Sequence, residues 1–452
     1  MPEISSSATC IPDRHSSSSL VSDPTFFGGR KPRGWLLRAN TVWPVTERPI
    51  RDGAVLVNGN RIAAVGSSRD VAAPRGYATL DLGDVVLLPG LVNAHCHLDY
   101  TNMAGQFMPT QTFTDWLKLI TTSKGSWERS DYAESWLSGA RMLARNGVTT
   151  VADIEAVPEL LPEVWNATPL RIFSFLEMIG ITLRREPADI LRTAVERIAS
   201  LHNPRCWTGL SPHAPYSTRP ELLRLSADAA RKHGWRTCTH VAESAVEFEM
   251  FSRARGEMFD WLKRSGRDTS DCGQGSPVQH LDRCGLLNHR LLATHANYLA
   301  RPDAALLARR RVSVVHCPRS HQFFGHQPFP LRRLMRAGVN VCLGTDSLAS
   351  VHVRRRQPVE LNLIEDMRVL ADRQPWLSPS NIMQMATVNG AQALGLQNKI
   401  GQLTRGSFAD LIAIPFSGKL RDAPNAIMEH RGPVPVSMID GQWVVPPDAE
   451  MH

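Results

Sequence analysis

The chain has no run approaching ~20 uninterrupted apolar residues, so no membrane-spanning helix is expected. It has no Cys-x-x-Cys pair among its 8 cysteines. Four of them (Cys96, Cys238, Cys317, Cys342) fall inside apolar runs, where cysteine behaves as a small hydrophobe, and this suits a reducing compartment. The first 33 residues are rich in serine and lack the 7–15-residue apolar core of a secretory signal. They read as a disordered extension, and a cytoplasmic location is expected. Lysine is scarce: of 51 basic residues only seven are Lys, and none lies between Lys124 and Lys232. No Gly-rich phosphate turn follows the first strong strand, which disfavours a dinucleotide-binding sheet.

What is present is ordinary globular material: 452 residues, 42% apolar and 21% charged. The net charge is +8. Its basic runs, Arg309–Arg311 and Arg354–Arg356, come with no nucleic-acid motif and read as solvated faces; neither a nucleic-acid nor a membrane partner is expected.

Short strand patterns fill residues 34–88, with a hairpin at Asn58–Asn60, and return after 401 at Ala409–Ile414 and Gln442–Val445. Between them, eight apolar strand candidates alternate with helical stretches such as Pro220–His233 and Pro302–Arg310. The eight are Val86–His97, Val148–Ile154, Leu170–Glu177, Trp207–His213, Arg236–Glu243, Leu291–Asn297, Val312–Ser320 and Asn340–Asp346. Eight βα units predict an α/β fold, a (β/α)8 TIM-like barrel over 89–400, inserted into a small β-sandwich formed by 34–88 and 401–452. Nearly every strand candidate ends in His, Glu, Ser, Asn or Asp, and barrel enzymes carry their chemistry at those ends.

His95 and His97 are spaced i, i+2 and share one face of a strand. His240 lies near the end of the fifth strand, His295 at the end of the sixth, and Asp346 at the end of the eighth, which barrel closure sets beside the first. Three His and one Asp around an open position suit one catalytic divalent ion, zinc foremost and iron as the other choice. Such an ion acidifies bound water toward a pKa of ~7. Glu243, three residues past His240, can shuttle protons, and His295 can orient the hydroxide or serve as a ligand. Without a lysine in the fourth strand no carbamate can bridge two metals, so a single ion is expected.

Leu88–His97, Ser211–Ser217, His240–Ser244 and Leu343–Ser347 together resemble the amidohydrolase superfamily, and its mononuclear deaminase and chlorohydrolase branch in particular. Ile400–Leu403 and Gly406–Leu411 are similar to that family's return into the sandwich. The resemblance implies His95, His97, His240 and Asp346 as metal ligands and Glu243 and His295 as the acid/base pair. It implies attack on a ring carbon bearing an amine, protonation of the ring nitrogen by Glu243, a proton taken up by Asp346, and loss of ammonia. His213 would hydrogen-bond the substrate. His213–Ser217, Phe113–Leu117 and Phe175–Glu177 resemble deaminases of adenosine-type substrates, including those acting on S-adenosylhomocysteine and aminodeoxyfutalosine. Glu177 would then read an adenine edge or ribose hydroxyls, or else sit in a structural salt bridge. One departure stands out: after Cys317-Pro318-Arg319-Ser320 the branch usually has Asn, and here His321 follows. Arg319, Ser320 and His321 are therefore candidates for substrate contact, with a structural ion pair the other role for Arg319. The expected function is hydrolytic deamination of an aminated heterocycle. The alternatives are cleavage of another non-peptide C–N bond or a C–Cl bond, as in a cyclic amidine or chlorotriazine, and a non-catalytic scaffold. The expected partner is a small-molecule substrate, with a homodimer by analogy.

Overall fold

A computed structural model describes residues 32–181, 185–353 and 359–447. The serine-rich segment expected to be disordered, up to residue 31, and the basic run Arg354–Arg356 lie outside the described residues.

Five strands open the chain: β1 (Gly34–Val42), β2 (Ile50–Asn58), β3 (Arg61–Ser67), β4 (Ala78–Asp81) and β5 (Val85–Pro89). Eight more form the barrel: β6 (Leu91–Cys96), β7 (Val148–Glu155), β8 (Arg171–Met178), β9 (Cys206–Pro212), β10 (Thr237–Val241), β11 (Leu291–His295), β12 (Ser313–His316) and β13 (Asn340–Leu343). The last three are β14 (Leu411–Pro415), β15 (Val436–Ile439) and β16 (Gln442–Val445).

Strands β6 to β13 pair in chain order, all parallel. The ring closes through a parallel bridge between Cys96 and Asp346. The other eight strands form one mixed sheet in which β14 pairs with β5, joining the two ends of the chain. All eight contribute to one apolar cluster, from Leu37 of β1 to Trp443 of β16. Alternation along β14 explains how this sheet meets the barrel: Leu411 and Ala413 enter the sheet's own core, whereas Ile412 and Ile414 join the barrel's outer apolar layer.

Two expected strands are corrected. The stretch 86–97 is two strands in two sheets, parted at Gly90, where an added Cβ would stand 2.1 Å from Thr149. That close approach lets the chain pass from sheet to barrel. The stretch 312–320 stops as a strand at His316; Pro318 then starts the helix Pro318–Phe323, a position that suits proline because its missing N–H is not needed there. The helix Pro220–His233 has the expected bounds.

The barrel lumen is filled from below. Val92, Phe173, Phe175, Cys238 and Leu292 pack inside, and Ala391, Leu394 and Ile400 close the end where the strands begin. Arg309–Arg311 are exposed, and Arg310 pairs with Asp282 at 2.7 Å. The described cysteines are all free and buried. No helix among the described residues is long and apolar enough to cross a membrane.

Candidate active site

The upper end of the lumen is as buried as the lower one but is built of imidazoles and carboxylates. His95, His97, His240, Glu243, His295 and Asp346 are all buried there. Nε2 of His97 lies 3.2 Å from Nε2 of His240. Asp346 Oδ1 is 3.7 Å from His95 Nε2 and 3.8 Å from His97 Nε2. His295 Nε2 is 3.4 Å from Glu243 Oε1.

Each side chain is aimed by a local device. A register shift between β6 and β7 falls between Asn93 and Cys96, a bulge that re-aims the residues at the rim. Asn93 ties the first barrel strand to the eighth: its amide donates to Thr345 Oγ1 at 2.8 Å and its oxygen accepts the Thr345 N–H at 3.1 Å. Gly344 is required because a Cβ there would meet the His95 carbonyl at 2.8 Å. Asp346 then takes φ +56°, and its N–H and that of Thr345 both donate to the His95 carbonyl. His295, at φ +75°, and Ala242, at φ +51°, are bent in the same left-handed way where β11 and β10 end. Non-glycine residues adopt this conformation at a cost, and such strain gathers at functional rims.

Glu243 is held through Glu247. Ser244 caps the helix Ala245–Arg253 by accepting the Glu247 N–H, and the Glu247 carboxylate accepts the N–H groups of Ala242 (3.0 Å) and Glu243 (2.8 Å). Asn297 also donates to the Glu243 carbonyl. Glu247 was missed in the sequence reading, although Ser244-Ala245-Val246-Glu247 carries the Ser-x-x-Glu capping signature.

Electrostatics separate the roles. Burial, joined by the Asp346 and Glu247 charges, pushes the Glu243 carboxyl well above the usual range. Asp346 moves the opposite way: burial would raise it, but the His95 imidazole beside it, with His295 and His97 close by, holds it well below the usual range. Burial drives His97 and His240 well down and His295 to about 3. His95 alone rises, to about 9, because the neighbouring Asp346 carboxylate and Cys238 outweigh its burial.

The donor set fits a cation. His95 Nε2 is buried without a hydrogen-bond partner. His240 Nδ1 faces the His213 carbonyl at 2.9 Å; donation there leaves the Nε2 lone pair turned inward, toward His97. Two nitrogens bound at ~2.1 Å in tetrahedral array stand roughly 3.4 Å apart, close to the observed His97–His240 spacing. Two groups, His95/His97/His240 and Glu243/His295/Asp346, each bring their ligand atoms within 4.8 Å of one another.

A cavity opens above them. Phe113, Trp116, Tyr216 and Trp261 supply rings, and Lys124, bonded to the Tyr100 hydroxyl, is its one lysine. His213 and Glu177 line it, with His213 Nε2 3.9 Å from Glu177 Oε1 and His213 Nδ1 2.6 Å from Ser217 Oγ. Sequence reading gave Lys124, Tyr100 and Trp261 no role, because only tertiary contact brings them to this cavity. Arg319, Ser320 and His321 do not line it. The chain turns outward after His316, and Arg319 is held by buried Asp366 at 2.8 Å and by the Glu360 carbonyl at 2.9 Å, the structural ion pair foreseen as its other role. His321 donates from Nε2 to the Gln327 carbonyl at 2.9 Å.

A barrel that closes at this rim and is joined to a sheet from both termini is the architecture that the eight βα units and the β-rich ends of the chain predicted. The profile of the amidohydrolase family matches residues 86–444, and the chain belongs to that family. It is 32% identical over 381 residues to a 5-methylthioadenosine/S-adenosylhomocysteine deaminase of Syntrophobacter fumaroxidans, covering 80% of each chain. It is 30% identical over 355 residues to an aminodeoxyfutalosine deaminase of Deinococcus radiodurans, covering 76% of this chain and 81% of that one. The crystal structure of an adenosine deaminase from Xanthomonas campestris with bound zinc superposes with a TM-score of 0.77 at 25% identity, covering 91% of this chain and 93% of that one.

Proposed function

We propose that this protein is a metal-dependent hydrolase that deaminates an adenosine-like nucleoside, releasing ammonia. The observation that carries the reading is the buried meeting of three imidazoles and two carboxyls of opposite proton affinity at one rim of the barrel. His95, His97, His240 and Asp346 would hold the ion, which we take to be zinc because the Xanthomonas campestris structure contains it. When bound, the ion supplies a nucleophilic hydroxide near neutral pH.

The chain's own residues do the rest. Glu243, its carboxyl kept protonated by burial, donates to the ring nitrogen and so turns the amine-bearing carbon electrophilic. Asp346 takes the proton released by the attacking oxygen and passes it to the departing amine, so that water and the amine become a carbonyl and ammonia. His295, neutral and within reach of Glu243, orients the attack. His213 and Glu177 hydrogen-bond the base and sugar, and the aromatic wall of Phe113, Trp116 and Tyr216 keeps water out.

The test is ammonia release from adenosine, 5-methylthioadenosine, S-adenosylhomocysteine and aminodeoxyfutalosine, with a chlorotriazine as control. Turnover of at least one nucleoside is expected; chloride release from the triazine without any ammonia would overturn the assignment. On the same reading the enzyme works in the cytoplasm, which the free cysteines favour. A homodimer is the assembly the resemblance implies, and sedimentation equilibrium measures it.

A further inference from the structure

A second cavity lies behind the catalytic rim, on the outer side of β12, between the helices Pro318–Phe323 and Leu363–Arg373. His316, His321, His326, Gln322, Phe329 and Arg373 line it, and no carboxylate does among the described residues. Alternation explains the location: Val315 enters the lumen, so Val314 and His316 face outward. There the His316 ring stacks on Phe329 with centroids 3.8 Å apart.

The hydrogen bonds fix what this cavity offers. The Gln327 N–H donates to the Tyr298 hydroxyl at 3.4 Å, and that hydroxyl lies 3.3 Å from His326 Nδ1. His326 Nε2, the other ring nitrogen, is buried with no partner. His316 Nδ1 is likewise buried with no partner, in a side chain only 4% exposed. Buried polar atoms left unpaired are rare, and each calls for a ligand or water. Arg373 makes no hydrogen bond or ion pair within the described residues and stands at the exposed end of its helix. A cation is not what this set suits. The ligand atoms of His316, His321 and His326 do not converge as those at the catalytic rim do, and His321 Nε2 is committed to the Gln327 carbonyl.

We propose that this second cavity binds a small oxyanion, a carboxylate or phosphate group, with Arg373 supplying the charge and His326 Nε2–H and His316 the directed donors. The anion satisfies both orphaned imidazoles at once, and Arg373 matches it with paired N–H groups. The His321 position, where the family branch usually has Asn, then has a use away from the catalytic chemistry. Its bond to the Gln327 carbonyl pins the turn that carries His326.

The test is equilibrium dialysis of the full-length, metal-loaded protein against labelled phosphate and, separately, labelled benzoate. One saturable site per chain is expected, with Arg373→Gln and His326→Leu each weakening it at least 10-fold, while kcat/KM in anion-free buffer stays within two-fold. The ratio of the two affinities tells a phosphate source from a carboxylate one. Arg373 is exposed, so its variant keeps the fold even where the His326 variant does not. The proposal is overturned if neither anion saturates, if both variants bind as the parent does, or if removing the catalytic metal abolishes binding. It is equally overturned if the site takes up a second zinc that His326→Leu releases.

Discussion

The two ends of the barrel lumen are both buried and oppositely made. Below, Phe173 and Phe175 stack at 4.8 Å above a plug of Ala391, Leu394 and Ile400. Above, the same strands end in His95, His240, His295 and Asp346. Burial stabilises the lower end by removing apolar surface from water, at ~25 cal/mol per Å². It opposes the upper end, where it raises the Glu243 carboxyl and neutralises His97 and His240. The lower end therefore holds the strands in register, and the upper end spends part of that stability on proton affinities unavailable in water.

This contrast breaks most sharply at Asp346. Asp346→Ala removes a proposed ligand and the partner of His95, so metal content measured by plasma emission should fall along with turnover. A variant with full metal and full activity would take Asp346 out of the site. Next comes Glu243→Gln, which keeps the shape and the backbone N–H bond to the Glu247 carboxylate but cannot deliver the proton. It should retain metal and lose kcat by about 10²–10⁴. Together these variants separate holding the ion from moving the proton.

The lower end should respond in the other currency. Phe175→Ala opens a cavity beside Gly209, whose position tolerates no Cβ because the Phe175 ring is 2.7 Å away. The expected loss is about 3–5 kcal/mol in chemical denaturation, with kcat per folded molecule unchanged. A large fall in kcat at unchanged stability would mean that the two ends are not separable.

The same division explains what could be read in advance. The rim that gathers the imidazoles and carboxylates was legible because its residues sit at strand ends in short motifs, His95-Cys96-His97 and His240-Val241-Ala242-Glu243, that local geometry interprets directly. The eightfold alternation was legible for the same reason, since each strand announces itself locally. The break at Gly90 was not, because it depends on Thr149 pressing from β7. Arg319 could not be assigned to Asp366, 47 positions away, nor Lys124 to Tyr100, since side-chain pairing across the chain leaves no periodic trace. Asn93 was visible as part of a motif, yet its bond to Thr345, 252 residues on, shows only in the closed barrel.

The smallest effect concerns the substrate-facing edge of the upper end. Ser217 Oγ lies 2.6 Å from His213 Nδ1 and 3.2 Å from the Ala214 carbonyl. A hydroxyl has one proton, and the carbonyl can only accept, so Ser217 donates to Ala214 and accepts from His213. His213 Nδ1 then carries the imidazole proton and Nε2 faces the cavity as an acceptor, ready for an N–H or O–H of the substrate. Ser217→Ala releases that choice of tautomer without touching the metal ligands. One hydrogen bond of this kind is worth about 0.5–1.5 kcal/mol, so kcat/KM should fall roughly 2- to 13-fold, borne by KM, with kcat and metal content held. If KM is unmoved, His213 does not meet the substrate through Nε2. If kcat falls instead, the serine acts through His240, whose Nδ1 rests on the His213 carbonyl.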